Sequence, residues 1–298
     1  MDTASLVRLF ALGAIWGGSF LFMRIAAPAV GALPTTFGRV AFAAAARAAL
    51  ALALRLRLDF RGRLVPALAL GLLNSALPFL LFAYAAKALP AGYSAILNST
   101  VPAMGVVIGA AFFGERTTVA KVAGVLLGLA GVVVLTQRGP VELTTPVLLG
   151  VAACLAAAAC YATAGFLARR WLTQRGVDDR LLALASLLAA AAALLPFFLW
   201  QWAVPGIEWS DASPAVWLSI AALGLVCSAL AFVLYFRLLA DVGPFRSMTV
   251  AFLLPVFGVF WGWLLLGEQL SSAHLAGGGM IGLSLWLVLR PASAMPPR

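Results

Sequence analysis

Residues 102–115 read PAMGVVIGAAFFGE, and residues 255–268 read PVFGVFWGWLLLGE. Both begin with proline, place glycine at the fourth and eighth positions, and end in Gly-Glu. The register extends outward at a constant separation of 153 residues, without a gap, so that 71–135 aligns with 224–288. Gly71 meets Gly224, Ser75 meets Ser228, Phe79 meets Phe232, Ser94 meets Ser247, and Gly124 meets Gly277. Chance agreement among Gly, Ala and Leu would not keep Pro, Ser and Gly-Glu in step. A second register, 145 residues apart, aligns Trp16 with Tyr161 and Arg24 with Arg169. The chain is a duplication.

What is duplicated is apolar. Hydrophobic residues make up 64% of the 298 and charged residues only 10%, with a mean hydropathy of +1.06. A soluble domain is nearer half apolar, and so little charge cannot cover a water-facing surface. About 20 apolar residues are needed to cross the hydrocarbon core. Helices are therefore expected near 6–27, 34–56, 65–88, 90–113, 118–137, 146–168, 180–203, 214–240, 243–266 and 272–290. Pro28, Pro34, Arg61-Gly62-Arg63, Pro90, Gly139-Pro140, Gly176, Pro205-Gly206 and Gly243-Pro244 punctuate the breaks. Barrel strands would alternate in polarity, and these runs do not. The first run carries Trp16 and Arg24 and no clear small-residue cleavage site, so it reads as a membrane helix and not as a signal peptide. The expected fold is an all-α polytopic membrane protein of ten transmembrane helices. It is built as two five-helix repeats, 1–138 and 146–290, with a short cytoplasmic tail at 291–298.

The net charge of +10 points to topology, not to nucleic acid, because the basic residues sit in short loops and no basic face is interleaved with aromatics. With the N-terminus inside, one side receives Arg8, Arg55, Arg57, Arg61, Arg63, Arg116, Lys121, Arg169, Arg170, Arg175, Arg180, Arg237, Arg246, Arg290 and Arg298. The other receives only Arg24, Arg39, Lys87 and Arg138, and Arg47 falls mid-helix. This is a strong positive-inside bias with both termini cytoplasmic. Five helices per repeat is an odd number, so the second repeat enters from the opposite face. Inverted repeats recur in secondary transporters, where two near-equivalent arrangements open a central site to either side.

Other chemistries find little support. Cys154, Cys160 and Cys227 lie in apolar runs without CxxC spacing, which disfavours a disulfide framework or zinc site. No Walker A, GxSxG or HExxH sequence is present, and His274 is the one histidine. No Asp or Glu falls mid-membrane, and Glu115 and Glu268 sit at helix ends, where a loop-capping role suits them. No cofactor or metal is expected. The rival class is a non-transporting scaffold or a lipid-modifying enzyme, but an enzyme would want charges gathered at one interface, and the acids are scattered singly apart from Asp178-Asp179.

A solute path needs polar or small groups facing away from lipid. The third and fourth helices offer Asn74, Ser75, Pro78, Tyr84, Tyr93, Ser94, Asn98, Ser99 and Thr100, with Pro102 following. Ser94 and Asn98 share a helix face. The eighth and ninth offer Ser228, Tyr235 and Ser247, with Pro255 following. Ser19 on the first helix joins them. Pro102 and Pro255 each leave a carbonyl one turn earlier without its N–H partner, available to a substrate ammonium. Trp16, Tyr84, Tyr93, Tyr161 and Trp261 form a deeper aromatic set suited to stacking, while Trp200, Trp202, Trp209 and Trp217 read as an interfacial belt. Many aromatics and few charges favour a neutral or zwitterionic hydrophobic solute over a phosphate. Arg39 is expected either to snorkel to the interface or to meet a substrate carboxylate, and Arg47 has no evident acidic partner. Gly124, Gly128, Gly131, Gly277–Gly279 and Gly282 give the fifth and tenth helices smooth faces, for packing within the chain or for a homodimer.

These features resemble the EamA-like repeats of the drug/metabolite transporter superfamily. The resemblance rests on residues 14–20 (AIWGGSF), on Gly38-Arg39, on the duplicated Pro-to-Gly-Glu segments quoted above, and on the Gly-rich fifth and tenth helices. It implies ten helices and export of metabolites, often amino acids, from the bacterial cytoplasm across the inner membrane. The chain is most similar to bacterial aromatic amino-acid exporters, with other small metabolites or cationic drugs as the alternative cargo. Tyr161-Ala162 departs from the pattern, standing where the first repeat has Trp16-Gly17. The inverted arrangement makes a direct prediction. Single cysteines at positions 115 and 268 should be labelled by impermeant reagents from opposite faces of the membrane, and labelling from one face would refute the inversion.

Overall fold

The computed structural model describes residues 2–289 apart from 57, 140 and 205–211, with backbone alone at 138, 179, 244 and 245. Arg57, Trp209, Arg290, Arg298, the tail 291–298 and the breaks at Pro140 and Pro205-Gly206 lie outside the described residues. Ten apolar helices follow in order: α1 (Thr3–Val30), α2 (Ala32–Ala53), α3 (Leu64–Ala85), α4 (Ala91–Phe112), α5 (Val119–Arg138), α6 (Thr145–Trp171), α7 (Asp179–Ala203), α8 (Pro214–Gly243), α9 (Val250–Leu266) and α10 (Ser272–Leu289). Among the described residues nine apolar stretches are long enough to cross a membrane, and α9 is a shorter apolar helix of 17 residues. It is shorter than expected because the chain turns at Met248–Thr249, where Ala251 and Phe252 bond back only three residues.

Local chemistry sets the ends. The Asp2 carboxylate accepts from the Ser5 amide at 3.1 Å and caps α1; the Ser5 hydroxyl and amide together hold that carboxyl below the usual range. Thr118 caps α5 and Asp178 caps α7 in the same way. Pro28 lies inside α1 and does not end it. The break falls instead at Gly31, whose φ of 94° is open to glycine.

The pairing of helices follows the duplication. α5 packs along α10, α2 along α7 and α4 against α9, so each of these helices meets its own counterpart. The remaining large contacts come in exchangeable pairs: α1 with α9 and α6 with α4, α3 with α6 and α8 with α1, α3 with α7 and α8 with α2. Weaker contacts, such as α1 with α2 and α2 with α3, have no equally large counterpart, but swapping the halves maps each of the large ones onto another. This is the pattern of two inverted five-helix repeats.

The Gly-rich faces are used within the chain. A methyl at Gly131 would stand 2.9 Å from the Gly277 carbonyl oxygen, and one at Gly277 would stand 2.8 Å from the Gly131 carbonyl oxygen. Gly124 and Gly128 press in the same way on Ser284 and its neighbours. α5 and α10 bury this surface against each other, so these glycines serve packing within the chain, while Gly279 and Gly282 of α10 face open space. Overpacking of a tight contact costs about 1–3 kcal/mol. Gly277→Val is accordingly expected to lower the thermal midpoint in detergent sharply, whereas Gly279→Val leaves it unchanged. Equal tolerance of both would contradict this packing.

Candidate functional site

The duplicated helices do not run straight past each other. α3 and α8 each contain a π-helical turn, Leu72–Ala76 and Leu225–Leu230, at equivalent positions in the two repeats. Such turns widen a helix and turn side chains out of register, often at functional sites. α4 breaks at Ser99–Thr100, whose amides bond back to Ile96 and Leu97. Its first half, Ala91–Asn98, packs on α9, while Val101–Phe112 turns away toward α5, α6 and α10.

The divergence of α4 from α9 leaves a central cavity of about 410 Å³, within the range of small-molecule sites, about 300–1,000 Å³. Its wall comes from both halves. α1 gives Trp16, Ser19, Phe20 and Met23; α2 gives Arg39; α3 gives Asn74, Phe79 and Phe82; α4 gives Asn98, Ser99, Val101 and Pro102. α6 gives Tyr161; α8 gives Cys227, Ser228, Phe232 and Tyr235; α9 gives Val250, Ala251 and Leu254.

Of the residues singled out in the sequence, the structure gathers Trp16, Ser19, Arg39, Asn74, Asn98, Pro102, Tyr161, Ser228 and Tyr235 on this wall. Others stand elsewhere. Tyr84 is 43% exposed on the outer surface. Tyr93 is buried and donates to the Leu135 carbonyl at 3.1 Å, so its hydroxyl locks α4 to α5. Ser94 is buried against Cys154 of α6. Ser75, Pro78 and Ser247 are buried off the wall, and Pro255 sits one residue past the wall residue Leu254. Trp261 donates to the Ala14 carbonyl at 3.0 Å and ties α9 to α1. Sequence reasoning passed over Met23, Phe82, Cys227 and Ala251. The Phe79–Phe232 match was visible in the repeat, yet apolar rings in a membrane chain do not by themselves signal a cavity.

Arg39 dominates the electrostatics. It is 6% exposed, so it does not snorkel to an interface. Its Nε donates to Ser228 Oγ at 3.1 Å, Nη1 approaches Met23 Sδ at 3.8 Å, and the guanidinium carbon stands 3.6 Å from the Phe79 ring centroid. Ser228 in turn donates to the Leu223 carbonyl at 2.9 Å, a bond across the π-turn. A charged hydrogen bond contributes about 1.5–3 kcal/mol and a desolvated cation–π contact about 2. These offset an insertion cost of about 3 kcal/mol for a mid-membrane arginine, but no carboxylate neutralises the charge. Among the described residues the one ion pair is Arg8 with Asp241, elsewhere in the fold.

Three further polar groups belong to wall residues. Ser99 Oγ is buried on the wall without a hydrogen-bond partner. Pro102 cannot donate to the Asn98 carbonyl, nor Pro255 to that of Ala251. Asn98 and Ala251 are repeat counterparts, and both are wall residues. Aromatic rings close the rest: Trp16 lies against Tyr235 at 5.5 Å between centroids, and Phe82 against Tyr161 at 6.3 Å.

One end of the cavity is sealed. Glu268, after α9, reaches across to the start of α4 and accepts from the amides of Ala91 at 2.7 Å and Gly92 at 3.2 Å. A methyl at Gly258 would come within 2.2 Å of Ala95 Cβ, so glycine is what lets α4 and α9 close here. The counterpart carboxylate, Glu115, is exposed and makes no side-chain hydrogen bond or ion pair among the described residues.

Comparison with known proteins agrees with this architecture. The model of the EamA-like transporter family matches twice, over residues 4–137 and 148–290. An uncharacterized transporter, YoaV, of Bacillus subtilis (strain 168) is 25% identical over 204 residues, 68% of each chain. A probable terminal-alkyne amino-acid exporter of Streptantibioticus cattleyicolor is 28% identical over 202 residues; the match covers 66% of this chain and 64% of that protein, slightly under two thirds of its length. One solved crystal structure superposes with a TM-score of 0.62 over 96% of this chain and 97% of the other, and its 22% identity speaks to fold alone. With both halves matched, the chain belongs to the EamA-like transporter family, and it is a multi-pass membrane transporter.

Proposed function

We propose that the chain exports amino acids with aromatic or other hydrophobic side chains across the bacterial inner membrane, and that both its termini are cytoplasmic. The observation that carries this reading is Arg39: a buried cation on the cavity wall, held by a serine and a phenylalanine and paired with no carboxylate among the described residues. A substrate carboxylate would supply the missing charge. The Asn98 and Ala251 carbonyls would accept from an ammonium group, and Trp16, Phe82, Tyr161, Phe232 and Tyr235 would stack on an apolar side chain. The Streptantibioticus relative, named as a probable terminal-alkyne amino-acid exporter, supports the same substrate class. An organic cation without a carboxylate suits the site less well, because Arg39 repels it.

Transport on this reading is by alternating access of two halves, taken as 1–138 and 146–290. The conformation described here is sealed where Glu268 caps α4 and splayed at the Glu115 end. With the N-terminus inside, the seal faces outward and the cavity faces the cytoplasm, ready to load a solute for export. In the opposite state Glu115 would close its own end as Glu268 now closes the other.

Purified protein in liposomes should move phenylalanine, tryptophan and leucine, and should discriminate against phenylethylamine, which lacks the carboxylate. Arg39→Gln is expected to slow amino-acid transport at least about tenfold, the loss of one charged hydrogen bond, at unchanged protein level, and to erase the discrimination against the amine. Failure of every amino acid to move, or full activity in Arg39→Gln, would refute this reading.

A further inference from the structure

The central cavity leaves one intramembrane arginine unused. Arg47 is 6% exposed, and its Nη2 donates to the Arg180 carbonyl at 3.2 Å. It shares no wall with the central cavity. Beside it lies a separate cavity of about 140 Å³ between α2, α7 and α8. Arg47, Arg180 and Arg237 stand on its wall, one from each helix, and every other wall residue is apolar. Among the described side chains the acid that acts on Arg47 is Asp178, whose carboxylate already accepts from the Arg180 amide at 2.8 Å. Three guanidinium groups and no acid among the wall residues make the wall cationic, and none of the three has an ion-pair partner among the described residues.

We infer that this cavity binds the phosphate of an anionic phospholipid. Guanidinium forks match phosphate oxygens in pairs, and basic recesses between transmembrane helices hold acidic head groups. The apolar part of the wall argues for a lipid source of that phosphate. Leu50 and Leu54, 36% and 58% exposed, form its outer lip, where the first carbons of an acyl chain would lie. The residues come from the C-terminal half of α2, the start of α7 and the C-terminal half of α8. The excess of Lys and Arg in the adjoining loops places these ends at the cytoplasmic leaflet. The inference does not depend on which solute the central cavity carries, because it shares no residue with that site.

Native mass spectrometry of the full chain in mild detergent tests it, with phosphatidylglycerol and phosphatidylcholine titrated separately. Phosphatidylglycerol is expected to bind at least about tenfold more tightly. Arg47→Gln and Arg237→Gln should each weaken it about fivefold, the effect of one arginine near a lipid phosphate, and leave phosphatidylcholine binding unchanged. Arg237 is exposed, so Arg237→Gln carries the test if Arg47→Gln does not fold. Equal retention of both lipids, or phosphatidylglycerol binding untouched by the variants, overturns the site. In a parallel thermal-shift arm, stabilisation by inorganic phosphate but not by phosphatidylglycerol, lost in the same variants, would overturn the lipid assignment and leave a site for free phosphate.

Discussion

Five crossings per repeat is the constraint on which the rest of the structure depends. An odd number forces the second copy of each helix to run against the first, so equivalent segments meet head to foot along a shared axis. α2 meets α7, α4 meets α9 and α5 meets α10 in this way. The same inversion brings one Gly-Glu loop to each end of the α4–α9 pair. It also brings two proline-freed carbonyls, of Asn98 and Ala251, to the same cavity. In lipid the apolar surface gives no preference for one helix partner over another. Close glycine contacts, caps and buried charge therefore decide the arrangement.

On the alternating-access reading proposed above, pseudo-symmetry makes two states comparable in energy, and small departures from it decide which is observed. The two loops have the same backbone. Gly114 and Gly267 have φ of 67° and 65°, and Glu115 and Glu268 bond back to Gly109 and Gly262 at 3.0 and 3.1 Å. Only Glu268 finds a helix start to cap. The segment that Glu115 would meet begins with Pro244, where α4 has Ala91. Proline has no N–H, so the second cap is one donor poorer than the first. A carboxylate at a helix N-terminus contributes up to about 2 kcal/mol. That is enough to bias an equilibrium and little enough for a substrate to reverse by binding one state better than the other.

The fold was legible in the sequence because lipid leaves few options: apolar runs of about 20 residues, a Lys and Arg bias, and a duplication in register. The cavity was legible where a polar residue interrupts an apolar face, as at Ser19, Arg39, Asn74, Asn98 and Ser228. What escaped has physical reasons. A π-turn has no residue signature, so nothing in LLNSA or LVCSAL announced the widening that sets Asn74 and Ser228 on the wall. Tyr93 and Tyr84 are ordinary membrane tyrosines in sequence, and only the rotation of their helices sends one to the Leu135 carbonyl and the other to the surface. Glycine faces on α5 and α10 suit a second chain as well as the same chain, and only the fold reveals that Gly124, Gly128, Gly131 and Gly277 are packed within the chain. Met23 and Phe82 reach the cavity as apolar residues among many others.

Alternating access, as proposed, requires reciprocal movement of the two ends of the α4–α9 pair. Spin-label distances in lipid test it directly, with one pair at Lys87 and Leu270 on the sealed end and another at Phe112 and Met248 on the splayed end. Addition of a transported amino acid is expected to lengthen the first distance and shorten the second in the same population. Distances that stay fixed, or that lengthen or shorten together, would contradict alternating closure of two inverted halves around one cavity.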